Sequence, residues 1–193
     1  MTNAPRFTRE SLVETLTELA GLVGMHQTTV DLALYGPACL LLATDLYTTV
    51  ATIDAVAVEG QLQVDHAVAQ LAGKRGWPSS WMTDRVRKHL NRRVEPPSHH
   101  LLMLRLPAAP RQGLRVFVPE WDYLLTLKVS ALNLKDPLDS QKREELRYLM
   151  NVSGVRAAED LDDLLTRYNS GPCEKRRMTA LAHAVWSQCA ADS

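Results

Sequence analysis

The feature that most constrains this chain is the stretch from Val30 to Val58. It begins with the mostly apolar run Val30-Asp31-Leu32-Ala33-Leu34-Tyr35 and is broken at Gly36-Pro37. An apolar segment, Ala38 to Asp45, comes next, then a threonine-rich loop, and then Thr52-Ile53-Asp54-Ala55-Val56-Ala57-Val58. The pattern predicts a strand, a Gly-Pro bend, a short helix, a loop over Leu46 to Ala51 and a second strand. Pro37 suits the first turn of the helix, because the N–H it lacks would be unpaired there in any case. In the second strand, side chains alternate between faces, so Thr52, Asp54, Val56 and Val58 share one face and Ile53, Ala55 and Ala57 the other.

Asp54 is therefore expected to project toward the bend at Gly36. A carboxylate facing a glycine bend at a strand-to-helix junction can hold a divalent metal against a triphosphate, with turn amides on the phosphates and carboxylate oxygens on the metal. Magnesium chemistry of this kind usually draws on more than one carboxylate, and Thr52 offers an uncharged hydroxyl. Asp31 and Asp45 are the nearest candidates for a second one. The alternative for Asp54 is an ordinary cap or a partner for an arginine.

The rest of the chain predicts an α+β protein, a small mixed sheet flanked by helices with a helical C-terminal section. Thr8 can cap a helix to about Val23, with Leu12, Leu16, Leu19 and Val23 at helical spacing. Val64 to Gly73 reads as a further helix. Ser79 or Ser80 opens a predicted helix to about Arg93, with Met82, Val86 and Leu90 on one side and Arg85, Arg87, Lys88, His89, Arg92 and Arg93 over much of the remainder. Glu95 to Ser98 reads as a stiff linker, and Leu101 to Leu106 and Leu114 to Val118 as a hairpin. Four helices are predicted after it, at about 120–134, 140–150, 157–168 and 174–189. The expected organisation is a core over residues 1–118, including the N-terminal helix, and a helical section over residues 119–193.

With 22 basic and 22 acidic residues the formal net charge is zero, so the whole molecule has no strong field for nucleic acid or anionic membrane. No apolar run approaches about 20 residues, so no membrane span is expected, and Met1 to Arg9 lacks an apolar signal core. Cys39, Cys173 and Cys189 are an odd set without CxxC spacing, which reads as a thiol-bearing cytoplasmic protein rather than a zinc or disulfide frame. No Walker loop, nucleophile elbow or Ser-His-Asp order is present. His99 and His100 are adjacent on a strand and point to opposite faces, so they do not chelate together.

Two further features carry candidate chemistry. At about 100° per residue, Trp121, Leu124, Leu125, Val129, Ala131 and Leu132 form one apolar stripe, and Lys128 falls near its middle. A lysine there must snorkel, face a cleft, or pair with a carboxylate, with Glu120, Asp54 and Glu144 as candidate partners. The basic run Arg85, Arg87, Lys88, Arg92, Arg93 is either a solvated helix face or a contact for RNA phosphates. Trp77 and Trp81 precede the run instead of alternating with it, so base stacking gains little support.

On Gly36, Pro37, Thr52-Ile53-Asp54 and the later Pro119-Glu120 and Leu124-Leu125-Thr126-Leu127-Lys128 segments, the chain resembles the small bacterial nucleotidyltransferases related to the AbiEii toxins and the minimal nucleotidyltransferases, in the DNA-polymerase-beta superfold. In that pattern a Gly-Gly or Gly-Ser turn precedes Asp-x-Asp on the next strand. Here Tyr35-Gly36 stands for the glycine pair and Thr52 for the first Asp. The following helix departs as well: Lys142 replaces the first Asp of its pattern, and Glu145 stands in for the second. The matches span about half the chain. The resemblance implies transfer of a nucleoside monophosphate from a nucleoside triphosphate to an acceptor such as RNA. It also implies magnesium at Asp54, cofactor contacts at Gly36, Thr52 and Lys128, and Asp54 and Lys128 as catalytic residues. The exchange at Thr52 implies a weakened or inactive member. The alternatives are a catalytically dead interaction module (a toxin–antitoxin or defence partner, or a homodimeric regulator) and a nucleic-acid-binding regulator.

Overall fold

A computed structural model of the protein describes residues 4–25, 29–90, 98–109, 112–132, 138–168 and 172–190. The chain divides into two compact units, one of Met1–Leu90 with Val94–Pro119, the other of Asn91–Arg93 with Glu120–Ser193.

The first unit opens with α1 (Arg9–Gly24). Thr8 and Ser11 cap it reciprocally: the Ser11 N–H donates to Thr8 Oγ1 and the Thr8 N–H to Ser11 Oγ, which satisfies two of the donors a helix start leaves unpaired. Leu12, Leu16, Leu19 and Val23 are fully buried, as their spacing predicts. β1 (Thr29–Tyr35) leads through Gly36 into α2 (Gly36–Ala43), whose residues Ala38 to Leu42 are all buried. An octet this apolar on every side can only be an interior helix. β2 (Ile53–Ala57) and α3 (Gln61–Arg75) come next. After β3 (Met82–Thr83), β4 (His100–Ala109) and β5 (Gln112–Pro119) form the expected hairpin.

The five strands make one mixed sheet in the order β3-β2-β1-β5-β4. β1 is antiparallel to β2 and parallel to β5, β2 is parallel to β3, and β4 is antiparallel to β5. The register pairs Leu32 with Ala57 and Leu34 with Ala55 across β1 and β2, and Leu32 with Val116 across β1 and β5. Paired residues share a face, so Leu32, Leu34, Ala55, Ala57 and Val116, all buried, make one apolar surface. α1 packs along β4 and β5, and α3 packs on α1 and β2.

Over the described residues 79–90, the helix predicted from Ser79 to Arg93 does not form. A 3-10 turn (Ser79–Trp81) runs into β3, and a second 3-10 turn (Arg85–His89) follows. The i, i+4 spacing of Met82, Val86 and Leu90 is overridden by tertiary pairing: Met82 and Thr83 add to the sheet beside Ile53 and Asp54. Trp81 anchors this geometry. It is fully buried, its indole N–H donates to the Val68 carbonyl at 3.1 Å, and its ring packs against Phe7 and Trp77. Arg92, Arg93 and the linker at Glu95 to Pro97 lie outside the described residues.

The second unit is helical: α4 (Trp121–Ser130), α5 (Ser140–Val152), α6 (Ala158–Tyr168) and α7 (Pro172–Ala190). Asp139 caps α5 by accepting from the Lys142 N–H at 2.8 Å. α4 ends four residues before its expected limit, Leu134, and the Pro137 expected to separate it from α5 lies outside the described residues. Among the described residues no helix is long and apolar enough to cross a membrane.

Candidate functional site

Gly36 sits at the junction of β1 and α2 with φ +61°, a conformation that costs an L-residue roughly 1–2 kcal/mol. A Cβ built there would lie 3.5 Å from Asp54 Oδ2. The carboxylate is therefore set against the bend, as the alternation of β2 predicts. Register explains why: Tyr35, the last residue before the bend, is directly opposite Asp54. On the other side Asp54 is opposite Thr83, whose hydroxyl donates to Asp54 Oδ1 at 2.5 Å. One carboxylate oxygen thus faces the bend while the other is held by a hydroxyl. Thr52 lies exposed just ahead of β2.

Behind the bend, Tyr35 Oη and His100 Nε2 are 2.9 Å apart, and His100 Nδ1 is 2.7 Å from the Ser98 carbonyl. A carbonyl only accepts, so Nδ1 carries a proton; in the neutral ring Nε2 then accepts and the Tyr35 hydroxyl donates. Tyr35 is buried to 1% exposure, and this bond fixes the residue that precedes Gly36. His99 is exposed and His100 buried, but β4 starts only at His100 and His99 sits in the turn before it with φ +54°, so the two are not adjacent on a strand as expected.

Neither alternative acid joins Asp54. The Arg115 guanidinium clamps Asp31, Nε to Oδ1 at 2.5 Å and Nη2 to Oδ2 at 2.6 Å. Asp31 lies four residues before Tyr35 on β1, about 13 Å along the strand. Asp45 pairs with Arg9 at 2.9 Å at the surface.

Lys128 lies in the helical unit and makes an ion pair with Glu145 of α5. Of the alternatives open from its place on the apolar stripe, the structure shows a carboxylate pair, with Glu145, which is not among the expected partners Glu120, Asp54 and Glu144. Glu144 is exposed, whereas Glu145, one residue on, is buried. Burial pushes the Glu145 carboxyl up to about 7, while the ammonium in contact with it favours the charged form. Lys142, on the same helix, pairs with its own cap, Asp139, at 3.0 Å.

The basic run is divided. Arg85, Arg87 and Lys88 are all exposed. Arg87 is engaged: it donates to Gln61 Oε1 at 2.6 Å, to the Ala57 carbonyl at 3.3 Å and to Asp84 Oδ2 at 3.2 Å. Thr83 and Glu145 are the site residues that sequence reasoning did not single out in these roles. Only the two-residue strand β3 and the docking of α5 on α4 bring them into place.

The structure defines a class: an α+β protein whose small mixed sheet sets one carboxylate against a glycine bend between strand and helix. Beyond that class, no family model, no curated protein and no solved structure matches the chain.

Proposed function

We propose that the protein is a bacterial, cytoplasmic nucleotidyltransferase-like protein that takes a magnesium–nucleoside triphosphate at the Gly36 bend and has weakened or no transferase activity. The observation that carries this reading is the Asp54 carboxylate facing the Gly36 bend. Gly36 carries no side chain of its own, which suits a close approach of phosphate to its backbone, with Asp54 Oδ2 bordering the same space. The donors at the bend are the Asp54 carboxylate and the Thr83 hydroxyl bonded to it, and on this reading the exposed Thr52, two residues before Asp54, would add a second hydroxyl. That fits magnesium arriving with its nucleotide, because phosphate oxygens and waters then complete the octahedron. It fits a bare ion poorly.

Bound magnesium would screen phosphate charge and polarise the α-phosphate. An acceptor hydroxyl, RNA being the class we favour, would attack the α-phosphorus. The new P–O bond forms as the bond to the bridging oxygen breaks, pyrophosphate leaves and the hydroxyl proton passes to solvent. With Thr52 in place of a second carboxylate, part of the stabilisation of the transition state is missing, and removing one such group typically lowers turnover about 100- to 1,000-fold.

The Lys128–Glu145 pair favours a second reading, the interaction module: a cation matched within its own unit is less suited to nucleotide phosphate. One titration separates the two. ATP, GTP, CTP and UTP are each added with magnesium while thermal unfolding is followed. A nucleotide at 100 times its dissociation constant should stabilise by about 2.7 kcal/mol. Magnesium alone should do nothing, and Asp54→Ala should abolish the response. A flat response to all four nucleotides, with no label transferred to tRNA, leaves the interaction module.

A further inference from the structure

Between α5 and α7, within the helical unit, lies a cavity of about 400 Å³ lined by Arg147, Met150, Asn151, Val155, Arg156, Trp186 and Cys189. Its size falls in the range of small-molecule sites, about 300–1,000 Å³. We propose that it binds a small organic anion whose flat ring lies against Trp186 and whose carboxylate or phosphate is met by Arg156.

Charge is the first argument. Among the described lining residues two are arginines and none is acidic. Burial raises the Cys189 thiol's pKa, and the charges of Arg147 and Arg143 partly oppose it.

Positioning is the second. The Arg156 N–H donates to Asp160 Oδ2 at 2.7 Å, which pins its backbone, and its Nη1 donates to Asn151 Oδ1 at 3.1 Å, which orients the guanidinium. Arg147 Nε donates to the Cys189 carbonyl at 2.7 Å and is held at the wall. A planar guanidinium fixed in this way presents the fork that carboxylates and phosphates accept.

The walls supply the third argument. Met150, Val155 and the half-buried Trp186 give an apolar surface beside the cations, and an indole face is suited to a flat ring. A lone inorganic anion would leave that surface unused. The Gly36–Asp54 site belongs to the other unit and shares no residue with this cavity.

The test uses the full chain in EDTA, so that no metal–nucleotide binding at Asp54 contributes. Indole-3-acetate and adenosine monophosphate are titrated separately by calorimetry. At least one should bind saturably with 1:1 stoichiometry below about 1 mM, and the arm that binds names the anion. Arg156→Ala and Trp186→Leu should each weaken binding at least about tenfold, Arg156→Lys should recover only part of it, and Asp54→Ala should leave it unchanged. Arg156 is exposed, so its variants keep the fold, which circular dichroism checks. Binding by neither probe, or unchanged binding in both Arg156→Ala and Trp186→Leu, overturns the assignment.

Discussion

At the scale of single residues, the Lys128–Glu145 pair is the most consequential contact. The side chains are 18% and 9% exposed, so the Glu145 carboxylate relies on the ammonium in place of water. Removing one member of a nearly buried pair costs about 3 kcal/mol, because the survivor is left charged and dry. Lys128→Met should therefore destabilise the protein by about that much at pH 8, where Glu145 is ionised. The sign with pH follows from the raised carboxyl. The folded protein holds the Glu145 proton up to about 7, whereas the unfolded chain releases it near about 4.3. This group's contribution to stability thus falls as pH rises through that interval. In Lys128→Met the neutralising ammonium is gone and the carboxyl rises further, so the penalty should shrink toward pH 5. Glu145→Gln in the Lys128→Met background should recover most of the loss. Urea unfolding of the two variants at pH 5 and pH 8 reads all three effects, and a penalty that is flat with pH would contradict the argument.

At the scale of elements, the two positive-φ glycines that start helices differ in their surroundings. Gly36 starts α2 with only Asp54 Oδ2 near, at 3.5 Å, an ordinary contact distance. Gly60 precedes α3 with φ +75°, and a Cβ there would lie 2.9 Å from a methyl of Val30, itself buried. Gly36→Ala should cost about 1–2 kcal/mol from backbone strain alone. Gly60→Ala should cost about 1–3 kcal/mol more, because a packed side chain has to move. Denaturant midpoints measure the difference, and equal costs would mean that Val30 yields freely. The same elements show what could be read in advance. Period-two alternation and a glycine bend placed Asp54 correctly, since both act within about twenty residues. Helical spacing put Lys128 on an apolar face, but its partner depends on how α5 docks on α4, which no local pattern records. The basic run misled because Met82, Val86 and Leu90 mimic a helix face. Burial of Trp81 and pairing with β2 decided the backbone there, and both are nonlocal.

At the scale of the whole molecule, electrostatics sets how RNA could be held at all. With 22 charges of each sign there is no long-range attraction, so any RNA contact must come from local cations. A helix carrying Arg85, Arg87, Lys88, Arg92 and Arg93 on one side would give five phosphate contacts. In the described structure Arg85, Arg87 and Lys88 are all exposed, but Arg87 alone of the three is hydrogen-bonded across the fold, to Gln61 and Ala57, and also to Asp84. Each neutralised phosphate on a single strand contributes about −0.7 to the slope of log affinity against log salt. Two contacts give about −1.4, a sevenfold loss between about 50 and 200 mM salt; five give about −3.5, a loss of more than a hundredfold. Fluorescence anisotropy of a labelled single-stranded RNA across that range distinguishes them. We expect the shallow slope, abolished by Arg85→Glu with Lys88→Glu and little changed by Arg87→Gln. A slope near −3.5 would mean that Arg87 exchanges its protein partners for phosphate and that Arg92 and Arg93 join it, making the basic run one continuous RNA surface after all.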